Sequence, residues 1–254
     1  MVEKLSRLSG LRGMLAFLTI LPVGKTTENL AEWSNVWFLS PIVGALVGSI
    51  SGVVAWTLSR VFPSLVVAPI ALGLIVLITG GHHLDGLLDF GDALMAHGNP
   101  ERKIGIMHDN LLGAGGFALG LFVPITTISC IASLKPEFIA QAIAASEISA
   151  KLSMVVATRF GKETHQGTGS IVVHAMHQRN ASAKLLASTT ISLVFTGFFF
   201  SYVGLLATAS SIISSLVITG ISNRQFKGVT GDVLGATNEI SRMIFLLALL
   251  AMIA

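Results

Sequence analysis

The chain has 254 residues, of which 52% are hydrophobic and only 11% are charged, and its mean hydropathy is +0.79. Soluble domains carry about 25% charged residues, so this composition excludes an ordinary water-soluble fold. The formal net charge of +3 does not indicate nucleic-acid binding, because basic residues beside apolar segments usually record membrane orientation. We therefore expect one integral membrane domain, residues 1–254, that binds the lipid bilayer and no nucleic acid.

Apolar stretches long enough to cross a bilayer recur along the chain. The sequence predicts seven membrane-spanning helices, at residues 36–58, 65–80, 111–134, 138–158, 185–206, 207–221 and 240–254. A shorter apolar segment, residues 11–21, precedes them and is typical of a helix at the membrane interface. The predicted fold class is all-α: a polytopic integral membrane helical bundle of about seven transmembrane helices plus a short N-terminal amphipathic helix.

The distribution of basic residues predicts the orientation of these spans. With the N-terminus in the cytoplasm, thirteen Lys and Arg residues fall on the cytoplasmic side and two, Arg60 and Lys135, on the other. This bias agrees with the positive-inside rule. The remaining basic residue, Lys151, lies within a predicted span four positions after Glu147, so the two share a helix face and form either a structural pair or part of a site.

The densest group of ionisable residues directly follows the second predicted span, at residues 80–92. In a helix, Asp85, Asp89 and Asp92 share one face, together with His82. Carboxylates so close repel one another unless a cation lies among them. Hard oxygen ligands favour Mg²⁺, which often reaches a protein through a few carboxylates and substrate phosphates. The segment therefore predicts a magnesium site, with a solvated acidic loop as the alternative.

Three further polar segments return to the same predicted membrane face, at residues 102–110, 159–170 and 228–239. Their candidate functional residues are Arg102, Lys103, His108, Asp109, Arg159, Lys162, Asp232 and Glu239. Cations and backbone amides bind phosphate, and carboxylates bind metals or protons, so the combination is typical of phosphoryl transfer. Two alternatives are that these are solvated loops with Asp232 as a helix cap, or that histidines form a zinc site.

These residues resemble those of the cobalamin 5'-phosphate synthase family, also called adenosylcobinamide-GDP ribazoletransferases. The matching stretches are Phe17-Leu-Thr-Ile-Leu-Pro-Val23, His83-Leu-Asp-Gly-Leu-Leu-Asp-Phe-Gly-Asp92, Ile106-Met-His-Asp109 with Gly113, Arg159 with residues 167–170, and Gly228-Val-Thr-Gly-Asp-Val-Leu-Gly-Ala236. They occur in family order across most of the chain. The chain departs from the family pattern at His108, where the family usually has lysine, and after Asp109, where an arginine is missing.

The resemblance implies a Mg²⁺-dependent transferase of the prokaryotic plasma (inner) membrane, with its active site and N-terminus on the cytoplasmic side. It would join α-ribazole or its 5'-phosphate to adenosylcobinamide-GDP and release GMP, a late step of vitamin B12 biosynthesis. A homo-oligomer is compatible with this reading.

Carried onto this chain, the resemblance implies metal ligation by Asp85, Asp89 and Asp92. Asp109 and Asp232 would be further ligands or the base that accepts the hydroxyl proton, and Asp85 and Asp89 would also be catalytic. The implied substrate contacts are His82, His83, Arg102, Lys103, His108, Arg159, Lys162 and Glu239.

Two other functions stay open on the sequence. CDP-alcohol phosphotransferases of phospholipid synthesis also use aspartates and magnesium at a membrane edge. Their signature, however, needs Asp at the position of His82 and an Ala-Arg pair where this chain has Asp89-Phe90. A cation-coupled transporter would need acidic residues deep within its spans, a position that the sequence predicts for Glu147.

Overall fold

The protein is described by a computed structural model that covers residues 2–24, 30–109, 111–164 and 167–253. The described residues form eleven α-helices: α1 (Val2–Leu18), α2 (Leu30–Asn35), α3 (Ser40–Leu58), α4 (Ser64–Ile78), α5 (His82–Met95), α6 (Pro100–Met107), α7 (Ala114–Ala132), α8 (Ile139–Phe160), α9 (Thr168–Ala175), α10 (Ala181–Gln225) and α11 (Gly231–Ile253). Short 3₁₀ turns, Trp37–Leu39 and Pro136–Phe138, lead into α3 and α8.

Five of the described helical segments are long and apolar enough to cross a membrane: Trp37–Leu58, α7, Pro136–Phe160, α10 and α11. Helices α4 and α5 meet the same test only as a pair, and the chain bends by 95° between them. The prediction of an all-α polytopic membrane bundle is therefore confirmed. The count of seven spans stays a prediction.

Helix α10 is bent into a hairpin rather than running as one continuous rod. Ser201 has φ 54° and ψ −140°, and the Thr208 hydroxyl donates to the Thr196 hydroxyl at 3.0 Å across this break. Twelve residues of straight helix would separate these side chains by about 18 Å, so residues 181–200 and 202–225 form two antiparallel arms. The sequence placed the break between residues 206 and 207, several residues too late, because the apolar run is continuous across the true turn.

Helix α8 is the central helix of the bundle, and 89% of its most apolar stretch is buried inside the protein. Helix α3 packs against it through glycines at every fourth position. A Cβ added to Gly44 would lie 2.4 Å from the Glu147 carbonyl oxygen, and one added to Gly52 would lie 2.6 Å from the Ala140 carbonyl oxygen. Because these distances are far below any normal Cβ contact, only glycine allows the two backbones to approach so closely.

A network of charged side chains is buried between α8 and α11. Arg242 donates to the carboxylates of Glu147 and Glu239, while Lys151 donates to Asn238 at 2.7 Å and lies 3.7 Å from Glu147. Two acids balance two bases, which is what a low-dielectric interior requires. The sequence assigned Glu239 and Arg242 to cytoplasmic segments, whereas the structure buries both side chains inside the bundle, where Glu147 is a partner of Arg242.

Candidate active site

Helix α5 lies across one end of the bundle. Gly80 and Gly81 precede it with φ of 66° and 75°, values that favour glycine, and they form the sharp turn from α4. A Cβ on Gly86 would lie 2.8 Å from Asp232 Cα at the start of α11, and one on Gly91 would lie 2.7 Å from the Gly115 carbonyl oxygen at the start of α7. Helix α5 therefore packs closely against the starts of both α11 and α7.

Two of the predicted polar segments join each other beside α5. Val229 donates its N–H to the Lys162 carbonyl at 3.0 Å, within a parallel bridge between Glu163 and Val229. A Cβ on Gly169 would lie 2.6 Å from the Gly231 nitrogen, so the start of α9 packs directly on the start of α11. The predicted convergence of these segments is seen in the structure. Residues 110, 165 and 166 lie outside the described residues.

Two cavities meet at Asp85, and we name them by their linings. The aromatic cavity, of about 410 Å³, is lined by Ala16, Phe17, Leu18, Trp37, His82, His83, Asp85, Met154, Thr168, Gly169, Val172, Gly231, Asp232, Leu234 and Gly235. The acidic cavity, of about 240 Å³, is lined by Asp85, Leu88, Asp89, Met107, His108, Asp109, Leu111 and Leu112. Seven predicted site residues thus share two adjoining cavities, and Asp85 lines both.

The carboxylates of this region are crowded. Partial burial of Asp89, together with the nearby charges of Asp85 and Asp232, raises the pKa of the Asp89 carboxyl to about 7. A carboxyl that titrates near neutrality is suited to proton transfer, and a bound cation would favour its ionised form. Asp232 is oriented by the Thr230 hydroxyl, which lies 3.4 Å from its Oδ2.

The acidic cavity contains carboxylates of the kind that Mg²⁺ binds. Within the described part of the chain, no three acid, histidine or cysteine side chains are placed to hold a metal by themselves. Mg²⁺ often binds only one or two protein carboxylates and completes its coordination with water and substrate phosphates. Asp85, Asp89 and Asp109 offer such donors in one cavity. Structural and catalytic zinc sites need three or four protein ligands, and the described residues contain no such group.

Asp92 has a structural contact that its sequence position did not reveal. Its two carboxylate oxygens accept the N–H groups of Gly113 and Gly116, each at 2.8 Å. The side chain therefore caps the start of α7 and ties α5 to it. Metal binding by Asp92 stays a prediction, since these contacts already occupy part of its acceptor capacity.

Five predicted substrate-binding residues line neither cavity: Arg102, Lys103, Arg159, Lys162 and Glu239. Lys103 donates to Gln225 at 2.5 Å, and the Arg159 guanidinium lies 5.9 Å from the centroid of the Phe160 ring. Glu239 belongs to the buried network with Arg242. Their contacts with substrate stay predictions.

The aromatic cavity also contains residues that the sequence did not single out. Trp37 and Met154 carry no motif and reach the cavity only through the packing of the chain segment before α3 and of α8. Phe17 belongs to the N-terminal stretch that carries the family resemblance, but no function could be assigned to it from the sequence alone. In the structure Phe17 stacks on Trp33 at 4.5 Å between ring centroids.

The chain is similar to known proteins along most of its length. The family model described as cobalamin-5-phosphate synthase matches residues 10–250. Three similar proteins are each named adenosylcobinamide-GDP ribazoletransferase. The Methanococcoides burtonii protein is 35% identical over 253 residues, covering 95% of this chain and 92% of its own. The Methanosarcina mazei protein is 33% identical over 262 residues, covering 96% and 92%.

The Escherichia coli protein is 30% identical over 245 residues, covering 93% of this chain and 97% of its own. No solved structure matches this chain. The family model and the relatives thus span nearly the whole length, including every segment that lines the two cavities. The chain therefore belongs to the cobalamin-5-phosphate synthase family.

Proposed function

We propose that this chain is a membrane-embedded, Mg²⁺-dependent transferase that joins α-ribazole or its 5'-phosphate to adenosylcobinamide-GDP and releases GMP. Membership of the family supports the reaction class. The observation that carries the proposal to particular residues is the position of Asp85, where the aromatic and acidic cavities meet. A carboxylate shared by two cavities is suited to a reaction that brings two substrates together.

The proposed reaction replaces a phosphoanhydride bond with a phosphodiester bond. The 3'-hydroxyl oxygen of ribazole forms a bond to the phosphorus that carries the cobinamide, and the bond from that phosphorus to the oxygen of GMP breaks. The hydroxyl proton passes to a carboxylate, for which we propose Asp232, because it lines the aromatic cavity beside Asp85. His108 lines the acidic cavity and would contact phosphate where the family usually has lysine.

We propose Asp85 and Asp89 as the ligands of Mg²⁺, with Asp109 as a further donor in the same cavity. The bound ion would neutralise charge on the diphosphate. The protein's own contribution is to hold Asp85 and Asp89 on one helix, α5. Glycines allow this helix to pack closely against α7 and α11. Such preorganisation supplies much of the catalysis in phosphoryl transfer.

We propose that the site faces the cytoplasm. Arg60, which follows α3, and Lys135, which follows α7, belong to the loops at the opposite end of the bundle. Most other basic residues belong to segments on the same side as α5, which supports this orientation.

The test is GMP release by the purified protein in lipid vesicles, with both substrates, in Mg²⁺ or in chelator. We expect release only when both substrates and Mg²⁺ are present. Asp85→Asn should abolish release in a folded protein, because the neutral isostere keeps the shape but loses the charge. Glu137→Gln, an exposed carboxylate change at the opposite end, is the matched control and should have no effect.

The outcomes separate the parts of the proposal. Release that persists in chelator would exclude the metal requirement, and full activity of Asp85→Asn would exclude the site assignment. A folded protein that releases no GMP from intact substrates would refute the transferase function.

A further inference from the structure

The aromatic cavity combines a ring-lined wall with acidic residues. Phe17, at the end of α1, and Trp37, just before α3, contact each other edge to face with ring centroids 6.5 Å apart. Met154 of the central helix also lines the cavity, as do Asp85 and Asp232. A ligand in this cavity would therefore contact both apolar surface and carboxylates.

Two polar atoms of cavity-lining side chains are buried without a hydrogen-bond partner among the described residues: Trp37 Nε1 and His83 Nδ1. Trp37 is fully buried, and His83 is 5% exposed. Buried polar groups in native proteins nearly always have partners, and atoms as enclosed as these are reached by water rather than by a larger ligand. The polar groups that line the cavity itself, Asp85, Thr168 and Asp232, favour a ligand with polar groups over a purely apolar one such as a lipid chain.

The aromatic cavity has the size of a nucleoside and is too small for a corrinoid ring. Its volume of about 410 Å³ is in the range of sites that bind one small molecule. Ribazole, a benzimidazole nucleoside, is of that size, whereas a corrinoid that carries a nucleotide is several times larger. The acidic cavity shares Asp85 with the aromatic cavity, and its three carboxylates would accept a diphosphate only together with a bound cation.

We propose that the aromatic cavity binds the acceptor nucleoside, with its planar base against Phe17 and its ribose towards Asp85 and Asp232. This inference rests on the proposed function and adds the position of one substrate to it. An aromatic ring can contact any planar base through its face, so Phe17 can bind different bases, and the volume of the cavity limits their size. Helix α1 is then part of the active site as well as a membrane-interface helix.

The first test compares the two Michaelis constants. Removing the ring in Phe17→Ala should raise KM for ribazole about three- to tenfold, as expected for one aromatic contact, and leave KM for adenosylcobinamide-GDP unchanged. The matched control is Phe62→Ala, in the loop between α3 and α4 at the opposite end of the bundle. Phe62 is 46% exposed and Phe17 is 39% exposed, so the two losses of surface are comparable.

The second test measures binding without turnover. The chain has three tryptophans, at positions 33, 37 and 56. In a Trp56→Phe background, the fluorescence of Trp33 and Trp37 should change saturably as ribazole is added without the second substrate or metal. Phe17→Ala should weaken this binding by the same factor as it raises KM. If that variant does not fold, Phe17→Leu removes the ring but keeps an apolar contact.

The failure of this inference is distinguishable from the failure of the proposed function. A rise in KM for adenosylcobinamide-GDP alone, while GMP release still needs both substrates, would overturn the cavity assignment and leave the function standing. Ribazole binding that Phe17→Ala and Phe17→Leu leave unchanged would also overturn the assignment. Ribazole binding weakened by these variants would support the cavity even if GMP release were never observed.

Discussion

Replacing Gly86 by alanine tests whether the close crossing of α5 and α11 sets the position of Asp85 relative to Asp232. The added Cβ would lie 2.8 Å from Asp232 Cα and 2.9 Å from its carbonyl oxygen. Ordinary contact begins at 3.4 Å, so the helices must separate by about 0.6 Å. No side-chain rotation can relieve this clash, because both atoms belong to the backbone. Since a misplacement of about 1 Å can reduce an enzymatic rate on the order of a hundredfold, we expect kcat to fall roughly ten- to a hundredfold.

The assay is GMP release in vesicles with both substrates saturating, alongside thermal unfolding of the same preparation. Gly105→Ala in α6 is the matched control, because a Cβ there meets nothing within 4 Å. Alanine is favoured over glycine in a helix by about 1 kcal/mol, so this control should keep its activity and be slightly more stable. A folded Gly86→Ala protein with unchanged kcat would refute the idea that this helix crossing positions the reacting groups.

Three further predictions concern neighbouring parts of the structure. Asp92→Ala should lower the free energy of unfolding in the absence of metal by about 1 kcal/mol, because α7 loses its cap; thermal unfolding measures this, and unchanged stability would contradict the capping role. Mg²⁺ added at pH 7 should release up to about half a proton per chain, because the raised pKa leaves Asp89 partly protonated and the cation favours the carboxylate. The proton release should decrease as the pH rises above about 8 and should be absent in Asp89→Asn. A pH electrode in weakly buffered solution measures it. Proton release that persists in Asp89→Asn would show that the proton comes from another group. Arg242→Met should destabilise the protein by about 3–5 kcal/mol, since it leaves Glu147 and Glu239 charged and buried, and adding Glu147→Gln should restore part of that loss. Unchanged stability of Arg242→Met would show that Glu147 and Glu239 are not both charged in the buried network.

The membrane architecture could be predicted because each span carries its own signal. An uninterrupted apolar run of about 20 residues must become a helix in lipid, whatever its neighbours do. The turn at Ser201 carries no such signal, since the residues on both sides of it are equally apolar. Its place depends on the close approach of the two arms, where a Cβ on Gly204 would lie 2.1 Å from the Thr196 carbonyl oxygen. That contact exists only after the hairpin has formed.

The acidic segment of the site could be predicted from its spacing, but the direction of each side chain could not. Asp85 and Asp92 share a helix face, yet Asp85 lines the cavities while Asp92 caps α7. The difference depends on where α7 begins, more than twenty residues along the chain. The burial of Glu239, a predicted substrate contact, could not be predicted from the sequence either. Its carboxylate accepts a hydrogen bond from Arg242 on the next turn of α11, and Arg242 also donates to Glu147 on α8.

The buried network between α8 and α11 has a consequence for the order of biogenesis. The span that contains α8, Pro136–Phe160, has a mean hydropathy of 1.3, the lowest of the five candidate spans. We therefore expect α8 to enter lipid on its own less readily than the other spans. Glu147 and Lys151 lie 3.7 Å apart on that helix, and their mutual neutralisation lets it insert before its partners are made. Arg242 leaves the ribosome 95 residues after Glu147. Helix α11 then adds Glu239 and Arg242, a second pair of opposite charges, so each of the two helices enters the network with its own charges balanced.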